Sequence, residues 1–304
     1  MTSRLTGELI LTRSSSKGCS MNQTTSATVA VLVHGAWHSS LHWTATQRAM
    51  ARRGVPSIAV DLPGHGVNAP VPTGYLQPGQ PGLATERSAL ADLTMAQITD
   101  ELVARLAEIR PRFRRVVLVA HSAGGGPASA AAERAPELVD HIVYLSAFLP
   151  AGRPRFTDYI DAPENAGAVH VPQVGDPATT GVLRINPISA DPAEVAAIHR
   201  SFLADWPADR PGWRLLLHPD EPIASLTAPI TVTAARWGRV PRTYIRLTDD
   251  LALPVVTQDL MVAEADLVTP DLKTELHSLP GAHSPFLTRP DELAELLAST
   301  ANRS

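Results

Sequence analysis

A serine hydroxyl, an imidazole and a carboxylate can together make a nucleophile at neutral pH, and this chain offers all three at strand ends. Ser122 lies in Val116-Val117-Leu118-Val119-Ala120-His121-Ser122-Ala123-Gly124-Gly125-Gly126. There an aliphatic, β-branched run breaks into small residues and resumes as the alanine-rich stretch 127–133, which reads as strand, sharp turn and helix. Ala120 and Gly124, two residues to either side, are small enough to let the turn close and expose the hydroxyl. The usual elbow is Gly-x-Ser-x-Gly. With Ala120 in the place of the first glycine, the motif alone also admits a Ser122 that only caps the helix. Asp249 and Asp250 follow the strand 243–247 (TYIRL), with side chains pointing opposite ways, so one of them can face a histidine. His283 sits in the loop Pro280-Gly281-Ala282-His283 after a strand around Glu275–Leu279. A lone histidine is more often structural, but this one shares the carboxyl edge of a parallel sheet with Ser122 and Asp250, where ligands of open sheets bind.

The chemistry that follows is acyl transfer. His283 accepts the Ser122 proton as the oxygen attacks an ester carbonyl, and the aspartate holds the imidazole in the right tautomer and stabilises its cation. Gly35 ends the strand 28–35 (TVAVLVHG) and lets the backbone turn across the sheet end with its amides free. The backbone amides of Ala36 and Ala123 are the expected oxyanion-hole pair, each donor worth about 3–4 kcal/mol in comparable sites. No cofactor is needed.

Several elements must position these residues. A helix over 39–53 and a strand over 56–61 imply, with the first strand, a parallel pair joined by a right-handed crossover. Asn68–Ser88 carries Pro70, Pro72, Pro78 and Pro81 and is expected as an irregular insertion over the carboxyl edge of the sheet. A helix over 93–109 is capped by Thr94, with Ile98, Leu102, Leu106 and Ile109 as its apolar stripe. A buried strand is expected over 139–148. From Leu149 to about Arg242 regular alternation stops, apart from a helix over 192–203, and three of the five tryptophans concentrate there. That composition suits a lid shaping an apolar pocket, for which Trp37, His121, Phe148 and Trp206 are the candidate lining residues; a satellite core is an equally good account of any one tryptophan. A helix over 255–265 and another over 291–297 complete the chain. The expected organisation is a disordered leader over 1–27, a core over 28–148, the lid over 149–242 and the rest of the core over 243–304.

The chain of 304 residues is 44% hydrophobic, with a formal charge of −4. Its longest basic cluster, Arg110-Pro-Arg-Phe-Arg-Arg115, reads as a solvated loop, so nucleic acid is not an expected partner. Lys17 and Lys273 are the two lysines among 26 basic residues, a bias that suggests a GC-rich bacterial genome. A single cysteine, Cys19, excludes an internal disulfide. No run of about 18 apolar residues forms a membrane span, and Glu8 followed by Ser, Thr and Asn argues against a secretory signal. A cytoplasmic protein is expected, with Met21 an alternative start. His34, His38 and His42 recur every fourth residue, but Gly35 and the strand end keep His34 off any shared helix, and no His-Glu-x-x-His zinc pattern is present, so no metal is expected.

In chain order Ser122, Asp250, His283, the sequence resembles the α/β-hydrolase fold, a mostly parallel sheet flanked by helices with an inserted lid. It is similar in particular to the branch of plant-type methylesterases, salicylate-binding esterases, hydroxynitrile lyases and their bacterial relatives. The residues that carry this are His34-Gly-Ala-Trp37 with Trp43, Asp61-Leu-Pro-Gly-His-Gly66, His121-Ser-Ala-Gly-Gly125, Leu145-Ser-Ala-Phe-Leu-Pro150, Asp250-Leu-Ala-Leu-Pro254 and His283-Ser-Pro-Phe-Leu287. The resemblance favours Asp250 over Asp249 as the acid and leans towards a homodimer. In the lyases a lysine follows the catalytic histidine, whereas Ser284 stands here. The expected function is therefore hydrolysis of a small or medium apolar ester, such as a methyl ester of a secondary metabolite. Elimination, lyase or cyclisation chemistry on the same triad is the alternative, and a noncatalytic small-molecule receptor is a third reading.

Overall fold

The two longest strands, β1 (Ser26–Val33) and β3 (Phe113–His121), show why an unbroken apolar run was the right signal. Val29, Val31 and Val33 point with Val116, Leu118 and Ala120 into one core, while Ala30, Leu32, Val117 and Val119 point into a second on the other side. A strand covered on both faces has no polar side to alternate with. The computed structural model describes residues 26–303; the leader expected over 1–27 falls almost wholly outside the described residues.

The other strands are β2 (Ser57–Val60), β4 (His141–Leu145), β5 (Val182–Arg184), β6 (Asp220–Pro222), β7 (Arg242–Leu247) and β8 (Glu275–Leu279). Of the eight strands among the described residues, six form one sheet in the order β2-β1-β3-β4-β7-β8, every neighbouring pair parallel. Helices α2 (Met95–Ile109) and α3 (Gly125–Arg134) cover one face through Ile98, Leu102, Leu106, Ala128 and Ala131. Helix α1 (Thr44–Arg52) and the helix Pro290–Asn302 cover the other through Met50, Leu293 and Leu297. Thr94 caps α2 as expected: its side chain accepts from Gln97 N at 3.3 Å while Gln97 Oε1 accepts from Thr94 N at 2.9 Å. The first expected helix starts later than foreseen, as a tight turn over Ser40–Trp43 leading into α1.

β1 pairs with β2 on one side and β3 on the other, so the chain reverses its direction of travel across the sheet between them. Val33 lies in register with Ala120, and the segments beyond them leave the sheet side by side. This is the switch point at which open sheets bind ligands.

The stretch between β4 and β7 is less irregular than its composition suggested. β5 and β6 pair antiparallel as a small separate sheet, and the helix Pro192–Leu203 lies between them in sequence. The insertion after β2 docks on this hairpin: Ser88 N donates to Thr180 O at 2.8 Å, and the buried Arg184 guanidinium donates to the carbonyls of Leu83 and Glu86. Arg184 Nη2 also donates to Asp220 Oδ2 at 2.9 Å across the hairpin. Insertion and lid thus form one cap, joined through the buried Arg184 guanidinium.

Candidate active site

Ser122 occupies a turn that few L residues adopt, with φ of +51°. Such a backbone costs roughly 1–3 kcal/mol and persists only where its surroundings fix it. Here close packing does so. A Cβ on Gly124 would lie 2.3 Å from His34 O, and one on Gly35 would lie 2.6 Å from Ser122 Cβ. The loop after β1 is therefore pressed directly against the elbow. Ala120, by contrast, points its methyl into the core and is fully buried, which is why the missing elbow glycine does no harm.

Asp250 and His283 are equally constrained. His283 Nδ1 donates to Asp250 Oδ2 at 2.6 Å. Asp250 Oδ1 accepts from the amides of Ala252 at 2.8 Å and Leu253 at 2.9 Å, and its Oδ2 accepts from Ser146 Oγ at 2.7 Å. Four donors thus converge on a buried carboxylate and fix its orientation. Asp249 points the other way, where its Oδ2 accepts from Gly281 N at 2.9 Å and fastens the loop that carries His283. Sequence reasoning gave Ser146 no role, although it lies in the Leu145–Pro150 motif directly after a buried strand; its φ is +38°.

Ser122 and His283 open onto one cavity of about 360 Å³. They are not hydrogen-bonded to each other, and sites of this kind often close up only around substrate. No hydrogen bond among the described residues uses the Ala36 N–H. The Ala123 N–H lies in the first turn of the helix that starts at Ser122, where amides have no intrahelical acceptor.

Of the four expected pocket residues, the structure places only Trp37 on the cavity wall. His121 is buried behind the elbow, its Nε2 donating to His283 O at 2.8 Å. Phe148 backs the wall instead of forming it, its ring stacked 5.0 Å from Phe156, which does line the cavity. Trp206 lies past the end of the helix Pro192–Leu203 and turns its indole N–H to Arg210 O at 2.9 Å. The lid instead supplies Ile160, Val169, Val171, Leu183, Phe202 and Leu226. Phe202 stacks on His283 with centroids 5.8 Å apart. Ser201 beside it is buried, and its hydroxyl has no hydrogen-bond partner among the described residues.

The three regularly spaced histidines serve the architecture. His34 Nε2 accepts from Leu62 N at 3.0 Å, and His38 Nδ1 donates to Ala36 O at 2.6 Å. Burial pushes the His38 imidazole down to about pH 3 and holds those of His34, His42 and His121 well below the usual value, with neighbouring histidines adding to the effect. His65 is the opposite case: burial opposes its charge, but the Glu221 carboxylate, with Nε2 to Oε2 at 2.8 Å, raises it above the usual value. Ser284, at the position of the lyases' lysine, lies 3.2 Å from His38 Nε2 through its Oγ, so no cation sits there.

A family model described as the alpha/beta hydrolase family matches residues 30–296. The chain belongs to that family. Its relatives include a pyrethroid hydrolase from Sphingobium wenxiniae, 26% identical over 90% of this chain and 87% of the relative, and methylesterase 7 of Arabidopsis thaliana, 26% identical over 90% and 96%. In structure this alpha/beta hydrolase is similar to the crystal structure of the pyrethroid hydrolase PytH, with a TM-score of 0.65 at 25% identity, covering 91% of this chain and 98% of that one. Polyneuridine aldehyde esterase shares the fold, with a TM-score of 0.68 at 22% identity, covering 91% and 100%. This alpha/beta hydrolase is an enzyme of the hydrolase and esterase class.

Proposed function

We propose that the protein is a serine hydrolase of neutral, apolar carboxylic esters, with Ser122 as nucleophile, His283 as general base and acid, and Asp250 as the group that orients the imidazole. The observation that carries this reading is the opening of Ser122 and His283 onto one cavity while the far nitrogen of His283 is bonded to a saturated, buried carboxylate. The amides of Ala36 and Ala123 stabilise the tetrahedral oxyanion. His283 returns the proton to the departing alcohol and then activates the water that releases the acyl group.

The cavity supports the substrate class. No Asp, Glu, Lys or Arg lines it, and its volume suits a small organic molecule. A charged acyl chain would be desolvated there without a partner. The names of the relatives, methylesterases and a pyrethroid hydrolase, accord with an apolar ester.

The test is a panel of methyl and aryl esters given to the protein and to Ser122→Ala, following product release and the mass of the intact chain. Turnover and an acyl adduct on the protein, both lost in the variant, are expected, with at least about a 10⁴-fold fall in kcat. Labelling of Ser122 by a fluorophosphonate, without turnover of any ester, would instead point to elimination or cyclisation on the same residues.

A further inference from the structure

Trp37 follows the oxyanion residue Ala36, and the cap holds every polar group it has. Its N–H donates to Glu221 Oε2 at 2.8 Å, its carbonyl accepts from His218 N at 2.8 Å, and its indole N–H donates to Leu183 O at 3.0 Å. All three partners lie in or beside the β5–β6 hairpin. Trp37 also has a φ of +58°, a conformation its own side chain disfavours and that outside contacts must impose. The core's contribution is indirect. His65, in the loop after β2, donates from Nε2 to Glu221 Oε2 and from Nδ1 to Pro63 O at 3.2 Å. Both partners only accept, so the ring carries two protons and a positive charge. A fully buried ion pair is no more stabilising than apolar residues of the same shape. What an apolar pair cannot do is accept the Trp37 N–H.

We propose that Glu221, anchored by His65, is a positioning residue for the oxyanion hole: its carboxylate fixes the Trp37 amide and so aims the neighbouring Ala36 N–H at the cavity. The inference rests on the serine-hydrolase reading and on Ala36 as an oxyanion donor. It means that a residue of the cap completes a catalytic element of the core. Glu221 touches no substrate and does not line the cavity. Its effect falls on the tetrahedral state, in which an oxyanion exists, and not on the binding of a neutral ground-state ligand.

Two ketones of the same skeleton separate these cases. A trifluoromethyl ketone adds Ser122 Oγ to its carbonyl carbon and becomes a tetrahedral oxyanion, with the serine proton passing to His283; the matching methyl ketone binds without adding. In Glu221→Ala, affinity for the trifluoromethyl ketone and kcat on a neutral ester are expected to fall together by about 10–100-fold, less than the loss of a whole donor. Methyl ketone affinity and KM are expected to change by less than about threefold. Glu221→Gln keeps an acceptor for the Trp37 N–H and is expected to recover most of the loss; it also decides the matter should the alanine variant fail to fold, through a selective loss of about 3–10-fold. A folded variant with unchanged trifluoromethyl ketone affinity, or with equal losses for both ketones, would overturn the proposal. Should the unaltered protein form no adduct with the trifluoromethyl ketone and hydrolyse no ester, the serine-hydrolase reading itself would fall, and the positioning role with it.

Discussion

At the scale of single residues, the two adjacent aspartates separate chemistry from scaffolding. Asp250→Asn would turn an amide N–H₂ or a weaker acceptor towards four donors, one of them the imidazole. It is expected to lower kcat by about 10³–10⁴-fold with little change in KM. Asp249→Asn replaces a charged acceptor for Gly281 N with a neutral one and is expected to lower kcat by less than about tenfold; steady-state kinetics of the two variants on one ester check both. Gly35→Ala drives a methyl to within 2.6 Å of Ser122 Cβ. It is expected to destabilise the fold by about 1–3 kcal/mol and to impair turnover as well, measured by chemical denaturation beside kinetics. Ser122, His283 and the pair Asp249–Asp250 stood out as candidates in the sequence because each is a distinctive chemical type in the turn after a recognisable strand, whereas the preference for Asp250 came from the resemblance. The walls of the cavity were not. Aromatic side chains do not announce which neighbour they face, and three of the four residues chosen for the pocket turned out to back it or to lie elsewhere.

At the scale of elements, the long strands and amphipathic helices were legible because burial on one or two faces leaves a periodic mark. β5 and β6 were not, since three residues are too few for any period to register, and their pairing depends on partners nearly forty residues apart. Glu221 was invisible for the same reason. The hairpin is bridged by Arg184 and Asp220, which are 1% and 2% exposed. Arg184→Ala leaves a buried carboxylate without its partner and strips donors from two carbonyls of the insertion. The expected cost is about 3–5 kcal/mol. Replacing the pair together, Arg184→Met with Asp220→Leu, is expected to restore part of it, which thermal melts of the single and double variants compare directly.

At the scale of the whole molecule, the buried histidines set an acid limit. The imidazoles of His34, His38, His42 and His121 are depressed in the folded state, so each contributes stability that is present above its unfolded value near pH 6.5 and is lost as pH falls below it. His141 and His218 are depressed by burial as well and act in the same direction, so unfolding below pH 6.5 takes up protons at each of these groups and stability falls with pH. His65 works in the other direction: its raised value gives a contribution complete below pH 6.5 and lost as pH rises through the folded value. Denaturation curves between pH 4 and pH 8 are expected to fall steeply on the acid side, and His38→Asn, if it folds, to lower the slope by about one proton. The hairpin of the cap adds a constraint of another kind. Leu183 lines the cavity while its own carbonyl holds the Trp37 indole, so one short strand decides both which molecules enter and how the loop beside Ser122 is set. Selectivity and turnover cannot diverge freely there. Natural drift or laboratory evolution towards new esters has its open route through Val169, Val171 and Leu226, which face the cavity from other segments, and libraries that vary the hairpin would trade speed for range.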